Sequence, residues 1–195
     1  MLANPLRERL ASLGGLARPA ARPAVVRRPP PGFEPVETRW GTSWRFQEVY
    51  STGRVVGIPP PVPHAYLDTE TTGLGGSGAY AFTASIARPL EGALGLELIQ
   101  LFLPEPAGEA AFLHLLSQEL NASPAVATYN GATFDLPLLR GRWVMTRLPG
   151  EFEHPPHLDL LTLTRPLPRQ RLESCTLLNV ELRLLGFERE GDLPG

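Results

Sequence analysis

The sequence contains no lysine, a single cysteine and no long run of apolar residues. With Cys175 alone, the chain can form neither an intrachain disulfide nor a cysteine-based metal site. No apolar stretch approaches the ~20 residues that a membrane-spanning helix needs. The first residues also lack the charged and then apolar layout of a secretory signal peptide. These absences argue against a disulfide-rich secreted protein and against a helical membrane protein, and we expect a cytoplasmic location.

Charge is distributed unevenly along the chain. All 18 basic residues are arginine and the net charge is −2, but residues 1–31 carry +5 and the remainder carries −7. The same 31 residues contain six prolines without periodic apolar spacing, which predicts a flexible or extended arm. A basic arm on an acidic body favours a polyanionic partner. A solvated tail without a role explains the arm equally well.

The length of 195 residues and the 43% hydrophobic content predict one globular domain beside the arm. Within residues 32–64, the alternation over Ser43–Tyr50 indicates a strand, and Gly53–Ile58 is a candidate partner for it. We interpret this segment as an accessory strand pair that leans on a main domain of residues 65–195.

The main domain opens with a strand, Tyr66–Glu70, that carries two acids. Alternate side chains of a strand share a face, so Asp68 and Glu70 project to the same side. Two neighbouring carboxylates resist joint ionisation unless a cation lies between them. A solvated strand end is the alternative interpretation of this pair.

Four further elements follow from the pattern of apolar residues. Ala79–Arg88 and Leu94–Leu103 are strand candidates joined by a short connection, which predicts an antiparallel hairpin. Glu109–Leu120 has the apolar spacing of a helix, and Ala125–Tyr129 is a short apolar strand. A strand that follows a helix in this way runs parallel to its neighbour, for which Tyr66–Glu70 is the best candidate.

That adjacency brings Asp135 close to the first two acids. Leu136–Met145 is predicted to be helical, so capping that helix is the competing role for Asp135. Leu158–Leu163 is either a fifth strand or a helix start. Thr176–Leu185 is predicted to be a helix that stops at Gly186.

Two stretches carry a resemblance to a known family. Asp68 to Gly73 matches the motif Asp-x-Glu-Thr-Thr-Gly, and Tyr129 to Asp135 matches Tyr-Asn-x-x-x-Phe-Asp. Both motifs resemble those of the DEDD exonuclease superfamily. Further stretches are similar to its YprB-type bacterial branch, namely Gly75–Phe82, His157–Leu161 and Gly191–Gly195. The resemblance implies an α/β, ribonuclease-H-like fold with a mixed five-stranded sheet of order 3-2-1-4-5 and flanking helices.

The resemblance also implies a chemistry, which is metal-dependent 3′-5′ exonuclease activity on nucleic acid. Asp68 would bridge two Mg²⁺ or Mn²⁺ ions, and Glu70 and Asp135 would each bind one of them. Such ions prefer oxygen ligands, so carboxylates are the appropriate residue type. The third family motif, which supplies the last acid and the activating His or Tyr, would lie beyond Gly195. The alternative function is therefore a ribonuclease-H-like domain that binds nucleic acid or a partner without hydrolysis.

Other residues match substrate-binding positions of the family. Thr71, Thr72 and Leu74 match positions that hold the terminal nucleotide, and a single-stranded 3′ end is the expected partner, with no membrane involved. Phe134 either packs in the core, which we favour, or touches a base. Asn130 either bonds the substrate or holds its turn.

Two later residues carry weaker signals. Asp159 either supports the site from behind the metal ligands or caps the helix that follows it. His157 lies next to this acid, but the resemblance assigns the activating group to the third motif, so we do not expect His157 to be catalytic.

Overall fold

The computed structural model describes residues 28–51, 64–73, 78–90, 95–148, 156–167 and 172–189. These residues form one seven-stranded mixed sheet. Its strands are β1 (Glu34–Thr38), β2 (Gly41–Ser51), β3 (His64–Thr71), β4 (Ala81–Pro89), β5 (Gly95–Phe102), β6 (Ala125–Thr128) and β7 (His157–Asp159). The helices of the described residues are α1 (Glu109–Asn121), which follows a 3₁₀ turn at Pro106–Gly108, α2 (Asp135–Met145), α3 (Leu161–Thr164) and α4 (Leu177–Val180), which continues as a π-helix over Glu181–Leu185.

The strand order confirms the predicted fold class. Across the described sheet the order is β1-β2-β5-β4-β3-β6-β7. Its last five strands, β5-β4-β3-β6-β7, reproduce the predicted order 3-2-1-4-5. The first three of the domain's strands are antiparallel neighbours, and β3, β6 and β7 are parallel.

The strand count of five is too low, because β1 and β2 extend the same sheet. β2 pairs antiparallel with β5 along eight residue pairs, and β1 pairs with β2. An edge strand presents unpaired N–H and C=O groups, and β2 satisfies those of β5. The predicted partner of β2, Gly53–Ile58, lies outside the described residues.

The sheet has one face that packs against helices, which we call the inner face, and an opposite outer face. Inner-face residues such as Leu67, Ile86 and Leu101 form one core with Phe112 of α1 and Trp143 of α2. Each of these side chains is at most 4% exposed. Burial of one such side chain stabilises a fold by about 1.5–3 kcal/mol, so this core holds α1 and α2 against the same face.

Polar contacts fix the positions of the two long helices. Arg142 of α2 donates two hydrogen bonds to Glu109 at the start of α1, one of them from Nε to Oε1 at 2.6 Å. Glu109 is only 6% exposed. Breaking such a buried pair leaves an uncompensated charge, so the pair constrains where the last turn of α2 lies relative to the start of α1.

The predicted helix over Thr176–Leu185 is divided into two short turns of different type. Thr176 accepts a hydrogen bond from the N–H of Asn179 and so caps α4, and the π-helix follows from Glu181. Gly186 ends the segment in the left-handed region at φ 63°, as predicted. None of the helices in the described part of the chain is long and apolar enough to cross a membrane.

Candidate active site

The two acids of the first motif lie on the outer face of β3, as strand alternation predicts. Asp68 and Glu70 are exposed, whereas Leu67, which precedes Asp68 in the strand, is buried on the inner face. The register with β4 shifts between Glu70 and Thr71, which marks a β-bulge. A bulge bends its strand and redirects side chains, so β3 changes direction immediately after its second acid.

The second motif reaches the same edge of the sheet through β6. β6 is buried throughout and pairs parallel with β3, with Ala127 opposite Tyr66, so the chain leaves β6 at the level of Asp68. α2 begins at Asp135, yet no side chain caps this helix. The role of Asp135 as a helix cap is therefore not realised. Its Oδ1 instead accepts a hydrogen bond of 2.5 Å from the hydroxyl of Thr69.

A cleft of about 560 Å³ lies between the end of β3 and α2. Asp68 and Asp135 both line it, together with Asn130, Phe134 and the guanidinium-bearing Arg142. Glu70 does not belong to the lining, although it shares the outer face with Asp68. The structure thus brings two of the three predicted acids into one cleft, with the third next to them on the strand.

Electrostatic repulsion is concentrated on Asp68. The residue is exposed on one side, but the cleft walls displace water from the other, and this burial raises the pKa of the carboxyl above its ordinary value. The negative charges of Asp135 and then Glu70 raise the pKa further. The backbone N–H of Thr69 and the positive charge of Arg189 act in the opposite direction. A cation placed among these carboxylates would relieve the repulsion.

The three acids supply the donor chemistry of a hard divalent cation. Carboxylate oxygens are the ligands that Mg²⁺ and Mn²⁺ prefer, and mutual repulsion at Asp68 is the electrostatic condition that favours a cation. Across the described ranges, however, no group of three His, Cys, Asp or Glu side chains is already arranged to hold a metal ion. The side chains of Asp68, Glu70 and Asp135 fit such an ion by type and charge, and they would have to draw together around it.

The predicted nucleotide-binding threonines lie at the end of β3. Thr71 lines the cleft and donates a hydrogen bond of 2.9 Å to the carbonyl oxygen of Gly73. Thr72 pairs with Tyr80 through its backbone N–H at 3.0 Å and through its hydroxyl, which accepts from the Tyr80 N–H at 3.2 Å. These contacts close the loop that begins at Gly73. Leu74 lies outside the described residues.

The surroundings of Asn130 and Phe134 bear on the alternatives for each residue. Asn130 has φ 66°, a left-handed conformation that Asn tolerates, and its Oδ1 accepts a hydrogen bond of 2.7 Å from Thr133. This geometry agrees with the role of holding the turn, while a bond from Asn130 to the substrate stays a prediction. Phe134 is 51% exposed and lines the cleft, so the favoured role in core packing is wrong. Its ring follows an exposed turn rather than a buried helix position.

Asp159 supports the turn of the second motif from beneath. Its carboxylate accepts hydrogen bonds from the backbone N–H groups of Asn130 at 2.7 Å and Ala132 at 3.1 Å. It also accepts one from Leu161 at 3.0 Å, at the start of α3. This buried carboxylate therefore ties the turn of the second motif to the first residue of α3, and its role behind the metal ligands stays a prediction.

Three further contacts near the cleft were not predicted. Thr69 belongs to the inner-face alternation, and only the position of α2 makes it a partner of Asp135. The hydroxyl of Tyr129 donates a hydrogen bond of 2.6 Å to the carbonyl of Cys175, which ties the C-terminal segment to the second motif. His157 lies 2.9 Å from the Thr128 hydroxyl, and burial lowers its pKa.

The sequence held one signal for the presence of Arg142 in the cleft. Asp135 and Arg142 are seven residues apart, and this spacing places two side chains on the same face of a helix.

Several predicted features have no structural description. Gly75–Ser77 and Gly191–Gly195, which belong to the stretches similar to the YprB-type branch, lie outside the described residues.

Comparison with known proteins gives a family. The sequence model of the RNase_H superfamily matches residues 65–195. The chain is 37% identical over 136 residues to the protein called "Uncharacterized protein YprB" of Bacillus subtilis (strain 168), across 67% of this chain and 31% of the length of that relative. A family B DNA polymerase from the archaeon Pyrobaculum calidifontis aligns over 65% of this chain and 21% of its own, with 16% identity and a TM-score of 0.39.

The match to the superfamily covers the strands and turns that carry the acids. It begins at Ala65 in β3 and includes both motifs and the last described segment. The similarity to YprB agrees with the stretches that resemble its branch. The chain therefore belongs to the ribonuclease H superfamily, within its YprB-type branch.

Proposed function

We propose that this protein is a metal-dependent nuclease that removes nucleotides from the 3′ end of a nucleic-acid strand. Membership of the ribonuclease H superfamily supports a nuclease-type hydrolase. The observation that carries the proposal is the meeting of Asp68 and Asp135 in one open cleft, where their charges repel each other. Carboxylates crowded in this way are suited to binding divalent cations, because the cations relieve their repulsion.

Asp68, Glu70 and Asp135 are the residues that would hold the ions. Bound Mg²⁺ or Mn²⁺ would neutralise charge at the scissile phosphate and lower the pKa of an attacking water. The chain's own residues orient these acids, since Thr69 bonds Asp135 and Asp159 fixes the turn that leads to it.

Substrate binding would fall to the residues around the acids. The exposed ring of Phe134 is available to a terminal base on the cleft wall. The segment Thr71–Gly73 offers backbone groups at the end of β3, and we propose that Thr71 and Thr72 position the terminal nucleotide there. Asn130 contributes mainly by its left-handed turn, which presents the second motif to the cleft.

The alternative function is a domain that binds nucleic acid or a partner without hydrolysis. One observation favours it, because no three-ligand metal group stands preformed among the residues described. Asp159 does not complete a group of three metal ligands, since its carboxylate accepts hydrogen bonds from three backbone N–H groups. The two functions make different predictions for metal binding and for cleavage.

A 5′-labelled single-stranded oligonucleotide, offered as DNA and as RNA with Mn²⁺, tests the proposal. We expect a ladder of products shortened from the 3′ end, and no products with Asp68→Ala or in EDTA. Mn²⁺ should also raise the melting temperature of the wild type, because a ligand of the folded state stabilises it, and Asp68→Ala should abolish that rise.

The control is Glu34→Gln, which removes an exposed acid at the start of β1 and should keep both responses. Binding of the oligonucleotide without cleavage at any Mn²⁺ concentration would contradict the nuclease and support the alternative. Internal fragments in place of a ladder would contradict the 3′-end polarity.

A further inference from the structure

A second concave surface lies on the outer face of the sheet, away from the cleft. We call it the aromatic groove and define it by Phe33, Phe46, Tyr50, Gln100 and Phe102. Its volume is about 480 Å³, within the range of pockets that hold a small organic ligand. No element of the motifs accounts for it, and the cleft residues do not take part in it.

The aromatic groove shares the face of the sheet that carries the acids. Directly paired residues of neighbouring strands project to the same side. One row runs from Asp68 through Ser85 and Gln100 to Phe46. With strands about 4.8 Å apart, the ring of Phe46 stands roughly 15 Å from Asp68 along this row.

A second row leads from the other acid to the groove. It runs from Glu70 through Thr83 to Phe102 on β5. Two strand spacings separate the ends of this row, which is about 10 Å. A strand of nucleic acid whose end lies at the acids can therefore cross the same face and reach the groove within a few nucleotides.

The rings are arranged as a stacking surface. Phe33 lies 5.8 Å from Phe46 and 5.9 Å from Phe102 between ring centroids, at interplanar angles of 35° and 63°. These distances are those of favourable aromatic pairs. Phe102 is buried, while Phe33 and Phe46 are half-buried and Tyr50 is 42% exposed. The buried ring fixes the others, which keep surface for a further planar group.

The polar groups of the groove favour a base over a phosphate or a lipid chain. Gln100 donates from Nε2 to the Ser85 hydroxyl at 3.1 Å, and its pairing with Phe46 places its amide on the face that carries the rings. Amide groups next to aromatic faces suit the hydrogen-bonding edge of a base. Tyr50 donates its hydroxyl to Glu48 at 2.7 Å, which places a carboxylate at the rim. This carboxylate disfavours a phosphate inside the groove.

We propose that the aromatic groove binds unpaired bases of the strand whose 3′ end enters the cleft. Bases stack on exposed aromatic rings with little dependence on sequence, because every base has a π face. The choice of nucleic acid as the occupant rests on the proposed function. The groove then acts as a holding site for the single strand a few nucleotides before its end.

The test measures binding in EDTA, where no hydrolysis interferes. The full chain is titrated into a fluorescently labelled single-stranded oligothymidylate, and into a series in which one abasic residue is moved stepwise from the 3′ end. Phe46→Ala and Tyr50→Ala should each raise Kd about five- to hundredfold, the range for loss of one stacked base. Phe46→Leu keeps apolar volume but loses the ring face, and it covers the case in which Phe46→Ala fails to fold.

The abasic series and the Phe46→Leu variant together form a double-mutant cycle between the strand and the protein. At one position, removal of the base should weaken binding of the wild type and have no effect on Phe46→Leu, because the two changes remove the same contact. The matched control is Trp40→Ala, an aromatic residue outside the groove that is 43% exposed against 42% for Tyr50. Its Kd should equal that of the wild type.

The outcomes separate this inference from the proposed function. Coupling between an abasic position and Phe46→Leu supports the groove even when Mn²⁺ produces no cleavage, which would contradict the nuclease alone. Cleavage with unchanged Kd in Phe46→Leu and Tyr50→Ala overturns the groove and leaves the nuclease standing. Absence of oligothymidylate binding by the wild type overturns the groove as well.

Discussion

At the scale of single residues, Asp68 makes the stability of the metal-free protein depend on pH. Burial first, and then the charges of Asp135 and Glu70, raise the pKa of this carboxyl above its ordinary value of 3.8. The folded protein therefore holds the proton more tightly than the unfolded chain does. Stability consequently falls as pH rises from the unfolded to the folded pKa, and the full penalty remains at higher pH.

We expect Asp68→Asn to melt at a higher temperature than the wild type near neutral pH in EDTA, because the variant has no charge to bury. The gain should be small, since solvent screens an exposed group. It should disappear as pH falls below 3.8, where both states of the wild type are protonated. Thermal unfolding followed by circular dichroism across pH measures the difference. A variant that melts below the wild type at neutral pH would contradict this origin of the shift.

Strand alternation suffices to predict which residues of β3 share a face with Asp68. It cannot predict that Thr69, on the other face, bonds Asp135. That contact depends on where the turn after β6 delivers α2, which is a long-range property of the fold. The prediction that Phe134 packs in the core is wrong for the same reason. The exposure of an aromatic residue before a helix depends on long-range packing and gives no local signal in the sequence.

At the scale of elements, the turn between β6 and α2 tolerates little change. A Cβ at position 131 would stand 2.4 Å from the hydroxyl oxygen of Thr128 and 2.5 Å from its Cβ. We expect Gly131→Ala to lower the free energy of unfolding by about 1–3 kcal/mol, because overpacking displaces the surrounding atoms. Urea denaturation provides the measurement.

The matched substitution is Gly141→Ala in the interior of α2, where an added Cβ would meet nothing within 4 Å. It should raise the free energy of unfolding by about 0.4–1 kcal/mol, since alanine restricts the unfolded chain. The two changes add the same methyl group and should act in opposite directions. Equal effects would mean that the turn adapts to the methyl group.

The order of elements was predictable only in part from local pattern. A short connection predicts the β4–β5 hairpin, and a helix between strands predicts the parallel pairing of β6 with β3. The complete order came from the family resemblance. β1 could not be predicted because only five residues form it, and its pairing with β2 depends on the turn at Gly41, which has φ 113°. Likewise, no local signal marks the change from α4 to a π-helix.

At the scale of the whole molecule, charge separates the N-terminal residues from the rest. Residues 1–31 carry +5 and the remainder −7, so the arm is the part that suits a polyanion. We expect replacement of its six arginines by glutamine to flatten the dependence of log affinity on log salt. The change should be about 0.7 units of slope for each arginine that contacts a phosphate of a single strand.

Oligonucleotide titrations at several salt concentrations in EDTA give this slope. Because glutamine keeps the length of the arm, the comparison isolates charge. Arg165→Gln, an exposed arginine after α3, is the control and should leave the slope unchanged. An unchanged slope in the arm variant would mean that the arginines of residues 1–31 do not contact the oligonucleotide.

The two faces of β3 can be randomised separately in a library experiment, because one face is exposed and the other lies in the core. Randomising Tyr66, Asp68 and Glu70 samples only exposed positions, so most members of such a library should still fold. Randomising Ala65 and Leu67 samples the core, where most substitutions reduce the yield of folded protein. Thr69 alone belongs to both, since it lies on the core face and bonds Asp135. A screen that reads folding and Mn²⁺ binding separately should therefore find losses of metal binding on one set of alternate codons and losses of folding on the other.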